Sequence, residues 1–281
     1  MSSVTIIGAG SLGGAVAQAL AARDRVRRVL LVDAAAGVAA GKALDIMQSG
    51  AVSGSHTRLE GTDDLSRAVG SAVCVIADRH GPPEAEWLGD DGLALLRQLV
   101  PWTENTPLVF AGASQAGLML IARREHHIPR PLLIGSAPEA FASAMRSMVA
   151  LEAECSPAEV SLAVLGLPPG LIVPWSEAAI GGFSLERTLT PVQMSRLDAR
   201  APRLWPPGPF ALGMAAARAV EAMVTTARGA LSVLTVLDGE YGVRNRLGSM
   251  PALLDAGGVA AVRVPSLSTR ERVLVDTALG A

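Results

Sequence analysis

Short apolar runs recur through the first half of the chain, and each is followed by an alanine-rich stretch with helical spacing. VTIIGA (4–9), RVLLVD (28–33), AVCVIA (72–77) and PLVFAG (107–112) are continuously apolar and rich in β-branched residues, the pattern of parallel strands buried on both faces. The intervening segments near 11–22, 38–48, 88–100 and 115–125 read as helices, and the strand PLLIG (131–135) leads into a further helix at 137–152. This alternation predicts an α/β fold with a doubly wound parallel sheet. The pattern then changes to a strand, EVSLAVLG (159–166), a proline-rich loop, LGLPPGLIVP (165–174), then helix and meander, which places a domain boundary near residue 140. WPPGPF (205–210) punctuates the chain before a long helix at 211–227. Trp175 and Trp205 flank this region, and both call for burial.

Composition refines this picture in three places. With 281 residues the chain can bury a core in each of two domains. Half of the residues are hydrophobic but only 3% are aromatic, so the core is expected to be close-packed from small side chains. The 24 basic and 26 acidic residues nearly balance, which gives no field favouring nucleic acid or an anionic membrane. The amino terminus enters a strand at once and no apolar run reaches spanning length, so a cytoplasmic protein is expected. Two cysteines suit a reducing compartment: Cys74 reads as core, Cys155 begins a turn, and a disulfide between them is not expected.

The motif with the clearest chemistry is GAGSLGG (8–14), placed between the first strand and the first helix. Gly8 permits a tight turn, Gly10 lets backbone approach a pyrophosphate, and Gly13 lets helix pack on strand, while Ser11 and Leu12 open a helix whose free N–H groups attract an anion. Asp33 ends the second strand, where a carboxylate can take both ribose hydroxyls and repel a 2′-phosphate. NAD is therefore favoured over NADP. Asp78 and Arg79 follow the fourth strand directly, and an acidic side chain there would crowd or repel a dinucleotide.

Beyond the fingerprint, the blocks GVAAGKALDIMQSG (37–50), GTDD (61–64), VLG (164–166) and GEYGVRNRLGSMPALLDAGGV (239–259) resemble the L-lactate/malate dehydrogenase family, specifically its lactate-dehydrogenase-like malate dehydrogenase branch. The resemblance runs nearly end to end. It implies a Rossmann NAD-binding domain over 1–140, with Ala77 and Ser114 also lining the cofactor, and an α+β substrate domain over 141–281. It also implies a dimer or tetramer, with the helix carrying Leu44 and Met47 as a contact face, or a hetero-oligomer with a complete homologue. A member of this family oxidises a 2-hydroxy acid by hydride transfer to NAD while a histidine takes the proton, an aspartate orients it and arginines grip the carboxylate.

Set against that pattern, the catalytic positions are substituted. Pro168 stands in the histidine's place, Phe141 in the aspartate's and Ala144 in that of a substrate arginine. The mobile-loop segment 77–96 is about two residues shorter, with Gly89 where a second arginine belongs, and Ser114 replaces the asparagine that faces the nicotinamide. His80 and Arg79 are the nearest substitutes, because they follow the fourth strand at the ligand end of such a sheet. Arg146 points to another helix face than Ala144, and its pairing with Glu139, seven residues back, calls for a bend. His126 and His127 follow a helix end and read as surface residues, and His56 begins a strand beside Arg58, far from the cleft. No Cys/His spacing suggests a metal, and no nucleophile elbow is present. Three readings stay open: an NAD(H)-binding member that no longer performs the ordinary reaction and serves as sensor, partner subunit or scaffold; an NAD-dependent oxidoreductase rewired for a different substrate; and a structural oligomer with an empty cleft.

Overall fold

The computed structural model describes residues 2–81, 85–225 and 229–280. The apolar runs form the centre of one eleven-stranded sheet. β1 (Ser3–Ile7) pairs in parallel with β2 (Arg28–Val32) on one side and β4 (Val73–Ile76) on the other, and β2 pairs with β3 (Arg58–Thr62). Leu108–Phe110 and Leu133–Gly135 continue the parallel set beyond β4. These strands are covered by helices on both faces, which is why they carry no polar alternation.

The sheet does not stop at residue 140. Leu234 pairs antiparallel with Gly135, so the long hairpin Leu231–Asp238 and Arg244–Asp255 extends the same sheet, followed by Leu165–Leu167 and Gly170–Ile172. Gly135 is needed at this junction, since a Cβ there would lie 2.8 Å from the Leu234 side chain.

The abundance of small residues has its use in the helix layer. α1 (Ser11–Arg23) packs on the helix Pro209–Val224, and a Cβ on Gly213 would fall 2.7 Å from that of Ala15. The buried face of the later helix is largely alanine, at 215, 216, 217, 219 and 222. Small side chains bring the two axes close, as the composition leads one to expect.

Three predicted elements differ in detail. EVSLAVLG is broken into Val160–Ser161, in a small three-stranded sheet, and Leu165–Leu167, in the main sheet. The break has a physical reason, because the Val164 N–H donates to Ser232 Oγ and its carbonyl accepts from Ser249 Oγ. Hydroxyls replace ladder partners there. The proline-rich loop is the two-residue turn of a hairpin, Pro168 and Pro169 joined by a cis peptide bond. The helix predicted over 211–227 begins at Pro209 and ends at Val224, and residues 226–227 lie outside the described residues.

Cys74 is fully buried, which pushes its thiol up to about 12, and both cysteines are free. Among the described residues no helix is long and apolar enough to cross a membrane.

Candidate functional site

The ligand end of the parallel strands is built around the turn from β1 to α1. Gly8 has φ +105°, and a Cβ there would overlap the Asp78 carbonyl, while one on Gly13 would overlap the Gly8 carbonyl. Both glycines are therefore required by close backbone approach. Gly10 has a different neighbour. A Cβ on it would run into the Asp78 carboxylate.

Asp78 is only 6% exposed, and its two carboxylate oxygens accept from Leu12 N–H at 3.0 Å and Gly13 N–H at 2.8 Å. These are the free donors that open α1. The Gly10 N–H donates to the Asp78 carbonyl at 3.1 Å, and the Lys42 ammonium donates to the Gly10 carbonyl at 2.7 Å. Ser11 lies exposed beside this cradle and Leu12 is buried.

Asp33, 4% exposed, accepts from the N–H groups of Ala9 at 2.8 Å, His80 at 2.9 Å and Ala35 at 3.0 Å. Three of its acceptor sites are thus engaged by backbone, out of about four on a carboxylate. Ala77 is fully buried and its carbonyl accepts from Gln115 Nε2 at 2.8 Å. Ser114 is exposed, and its N–H and that of Ala113 both donate to Glu86 at 2.8 Å.

Glu86 faces Asp78 across a short antiparallel pair, Asp78–Arg79 with Ala85–Glu86. Burial pushes the Glu86 carboxyl above its ordinary range, the negative charge of Asp78 adds to this, and the two N–H donors oppose it. A cavity of about 270 Å³ remains between Leu12, Asp78, Glu86, Ser114, Pro206 and Leu212.

Phe141 stands in an apolar cluster. Phe141 is 2% exposed, tilts against Trp205 at 6.5 Å between ring centroids, and packs with Met145, Val164 and Val173. Pro168 and Ala144 are half-buried. A second cavity of about 670 Å³ lies against Phe141 and Pro169, walled by Leu171 and Met194 and also by the charged Asp198, Arg270 and Glu271, and no histidine lines it.

The substitute groups do not converge on this cluster. Arg79 is half-exposed and pairs with Asp91 at 2.6 Å, and His80 is exposed. Arg146 pairs with Glu139 at 2.5 Å within the uninterrupted helix Ala137–Ala153, the contact expected to call for a bend. Two extended side chains span the two turns. Glu139 is nearly fully buried and also accepts from Arg218 at 3.2 Å and from the Ser232 N–H at 2.9 Å. His56 is exposed, with its N–H on Asp24, and the strand begins at Arg58 instead. His127 is exposed, whereas His126 is half-buried with Nε2 lacking a partner, so it is less a surface residue than expected. Among the described residues no cluster of three or more His, Cys, Asp or Glu side chains could hold a metal.

No family model matches the sequence. Individual relatives do: the malate dehydrogenase of Thioalkalivibrio sulfidiphilus is 30% identical over 297 residues, spanning 99% of this chain and 96% of its own length. The chain belongs to the L-lactate/malate dehydrogenase family. A second malate dehydrogenase, from Cytophaga hutchinsonii, is 29% identical over 98% of this chain and 93% of its own. Among solved structures, the Salinibacter ruber malate dehydrogenase matches with a TM-score of 0.88 and 25% identity, over 99% of this chain and 94% of that one. The Cryptosporidium parvum lactate dehydrogenase, solved with lactic acid and NAD, matches in fold with a TM-score of 0.90 at 21% identity, over 99% and 95%.

The family's NAD provides a test of fit. A dinucleotide lying along this fingerprint needs the Leu12 and Gly13 donors for its pyrophosphate and the open space beside Gly10. In this family member the Asp78 carboxylate holds both donors and fills that space, so the group does not fit the conformation seen. Of the groups in this arrangement, sequence reasoning marks Asp78 but misses Glu86, Gln115 and the hydrogen bond of Lys42, the sole lysine.

Proposed function

We propose that this family member keeps the dinucleotide scaffold, with NAD(H) as its ligand, but no longer oxidises 2-hydroxy acids, acting as a sensor, scaffold or partner of a complete homologue. The observation that carries this reading is the packing of Phe141 against Trp205 where an orienting aspartate belongs, while Pro168 holds the histidine's place in a turn whose Pro169 lines the same cavity as Phe141. Proline has no proton to exchange, and a phenyl ring can orient no base. The rewired alternative needs Arg79, Arg146 or His80 at the reacting atoms. It is disfavoured because Arg79 is held by Asp91, Arg146 by buried Glu139, and His80 is exposed.

The glycine spacing of the fingerprint and the carboxylate of Asp33 support NAD over NADP. Asp33→Ala is expected to weaken NAD binding about tenfold or more, the scale of a lost charge-assisted hydrogen bond, while NADP binding changes less because a repulsion is removed at the same time. Calorimetric titration of both nucleotides measures this, with a thermal melt alongside because Asp33 also anchors three backbone N–H groups. Equal loss for both nucleotides would count against the ribose role.

Self-association through α2 (Ala36–Ser53) is supported by its outward face, where Leu44 is 51% and Met47 41% exposed while Ala39, Ala43 and Ile46 turn inward. The double substitution Leu44→Asp, Met47→Asp is expected to yield monomers in light scattering where the unmodified chain gives dimers or tetramers. A unmodified chain that is itself monomeric at micromolar concentration would remove this part of the proposal.

A further inference from the structure

We propose that the Asp78 carboxylate stands in for the pyrophosphate, so that a dinucleotide enters only by displacing the Asp78 side chain from the Leu12 and Gly13 donors, with Glu86 held opposite it. The proposal rests on the NAD(H) reading above. Its basis is that described residues of one short segment meet three successive stations of the cleft. The His80 N–H is donated to Asp33, the ribose carboxylate; the Asp78 oxygens take the Leu12 and Gly13 donors, the pyrophosphate cradle; and Glu86 takes the Ala113 and Ser114 donors at the nicotinamide-side turn.

A side chain local to α1 would suffice to cap the same two N–H groups. Asp78 comes instead from 65 and 66 residues further along the chain. Its carboxylate also brings negative charge to the place a pyrophosphate would take, and the cross-strand partner of Asp78 is another acid, Glu86. Like charges directly opposite in a strand pair are unfavourable, and here Asp78 is stabilised by the α1 donors a pyrophosphate would use and Glu86 by the Ala113 and Ser114 N–H groups. The cleft has therefore two competing occupants for one set of donors. A ligand that binds only the open form shows an affinity reduced by the fraction of molecules that are open.

The competition is specific to pyrophosphate, which separates it from a general loosening of the fold. NADH, ADP-ribose and adenosine are titrated by calorimetry into the full-length chain, Asp78→Asn and Glu86→Gln. NADH and ADP-ribose are expected to bind Asp78→Asn at least tenfold more tightly than the unmodified chain, while adenosine binds both alike. Glu86→Gln leaves the α1 donors covered, and is expected to tighten NADH by a smaller factor; it carries the test alone should Asp78→Asn fail to fold. Equal NADH affinity in all three proteins would overturn the proposal and leave the NAD(H) reading standing, and so would a tenfold gain for adenosine as well. No nucleotide binding by any folded variant would instead overturn the NAD(H) reading, and the internal occupant with it.

Discussion

Replacing Pro168 with histidine is expected to restore no measurable oxidation of NADH by oxaloacetate or pyruvate. A positioned acid or base contributes about 10²–10⁴-fold to such a reaction, but only when its ring is oriented and its substrate held. At the aspartate's position the new imidazole would find Phe141, which packs with Met145, Val164 and Val173, and Ala144 offers the substrate carboxylate no grip. Adding Phe141→Asp does not repair the site. A carboxylate placed in that cluster is desolvated among Met145, Val164 and Val173, which offer it no hydrogen bond, at a cost of several kcal/mol in stability. The combined variant Pro168→His, Phe141→Asp, Ala144→Arg is therefore expected to melt well below the unmodified chain while remaining inactive. NADH consumption and a thermal melt on the same preparations measure both, and turnover by the single histidine variant would show that the apolar cluster is no obstacle.

The largest stability effect is expected at Glu139. This carboxylate is buried between Arg146 and Arg218 and accepts the Ser232 N–H, so it links the helices Ala137–Ala153 and Pro209–Val224 and the strand Leu231–Asp238. Removing one member of a buried ion pair costs about 3–5 kcal/mol because the partner charge is left uncompensated. Arg218 is half-exposed and can turn to water, so Glu139→Ala is expected near the lower end, about 3 kcal/mol. Glu139→Gln keeps an acceptor for Ser232 and should lose less. Urea unfolding of the three proteins decides this, and coincident midpoints would mean that the network contributes nothing to stability.

The sequence pattern is most legible where one local signal decides the structure. Continuous apolar runs specify strands covered on both faces, and the spacing of Gly8 and Gly13 specifies a backbone crossing that the structure needs at both positions. Legibility fails where partners are remote. Nothing near Val164 announces that Ser232 and Ser249 will take its backbone groups and split the strand. The reach of Arg146 to Glu139 depends on side-chain extension, not on helix phase alone. Asp78 is conspicuous after an apolar strand, and its conflict with an anionic ligand can be read directly. That it would settle on the α1 donors, with Glu86 opposite, depends on a strand pairing that apolar periodicity does not encode.

On this reading the cleft has lost hydroxy-acid chemistry. Its most direct test is a steady-state assay of NADH oxidation with oxaloacetate and with pyruvate, at micromolar protein, on the unmodified chain, His80→Ala and Arg79→Ala. No consumption above the protein-free blank is expected in any of the three. Seconds-scale turnover by the unmodified chain, abolished by either substitution, would show that the site has been rewired around the segment after β4 and would contradict the account.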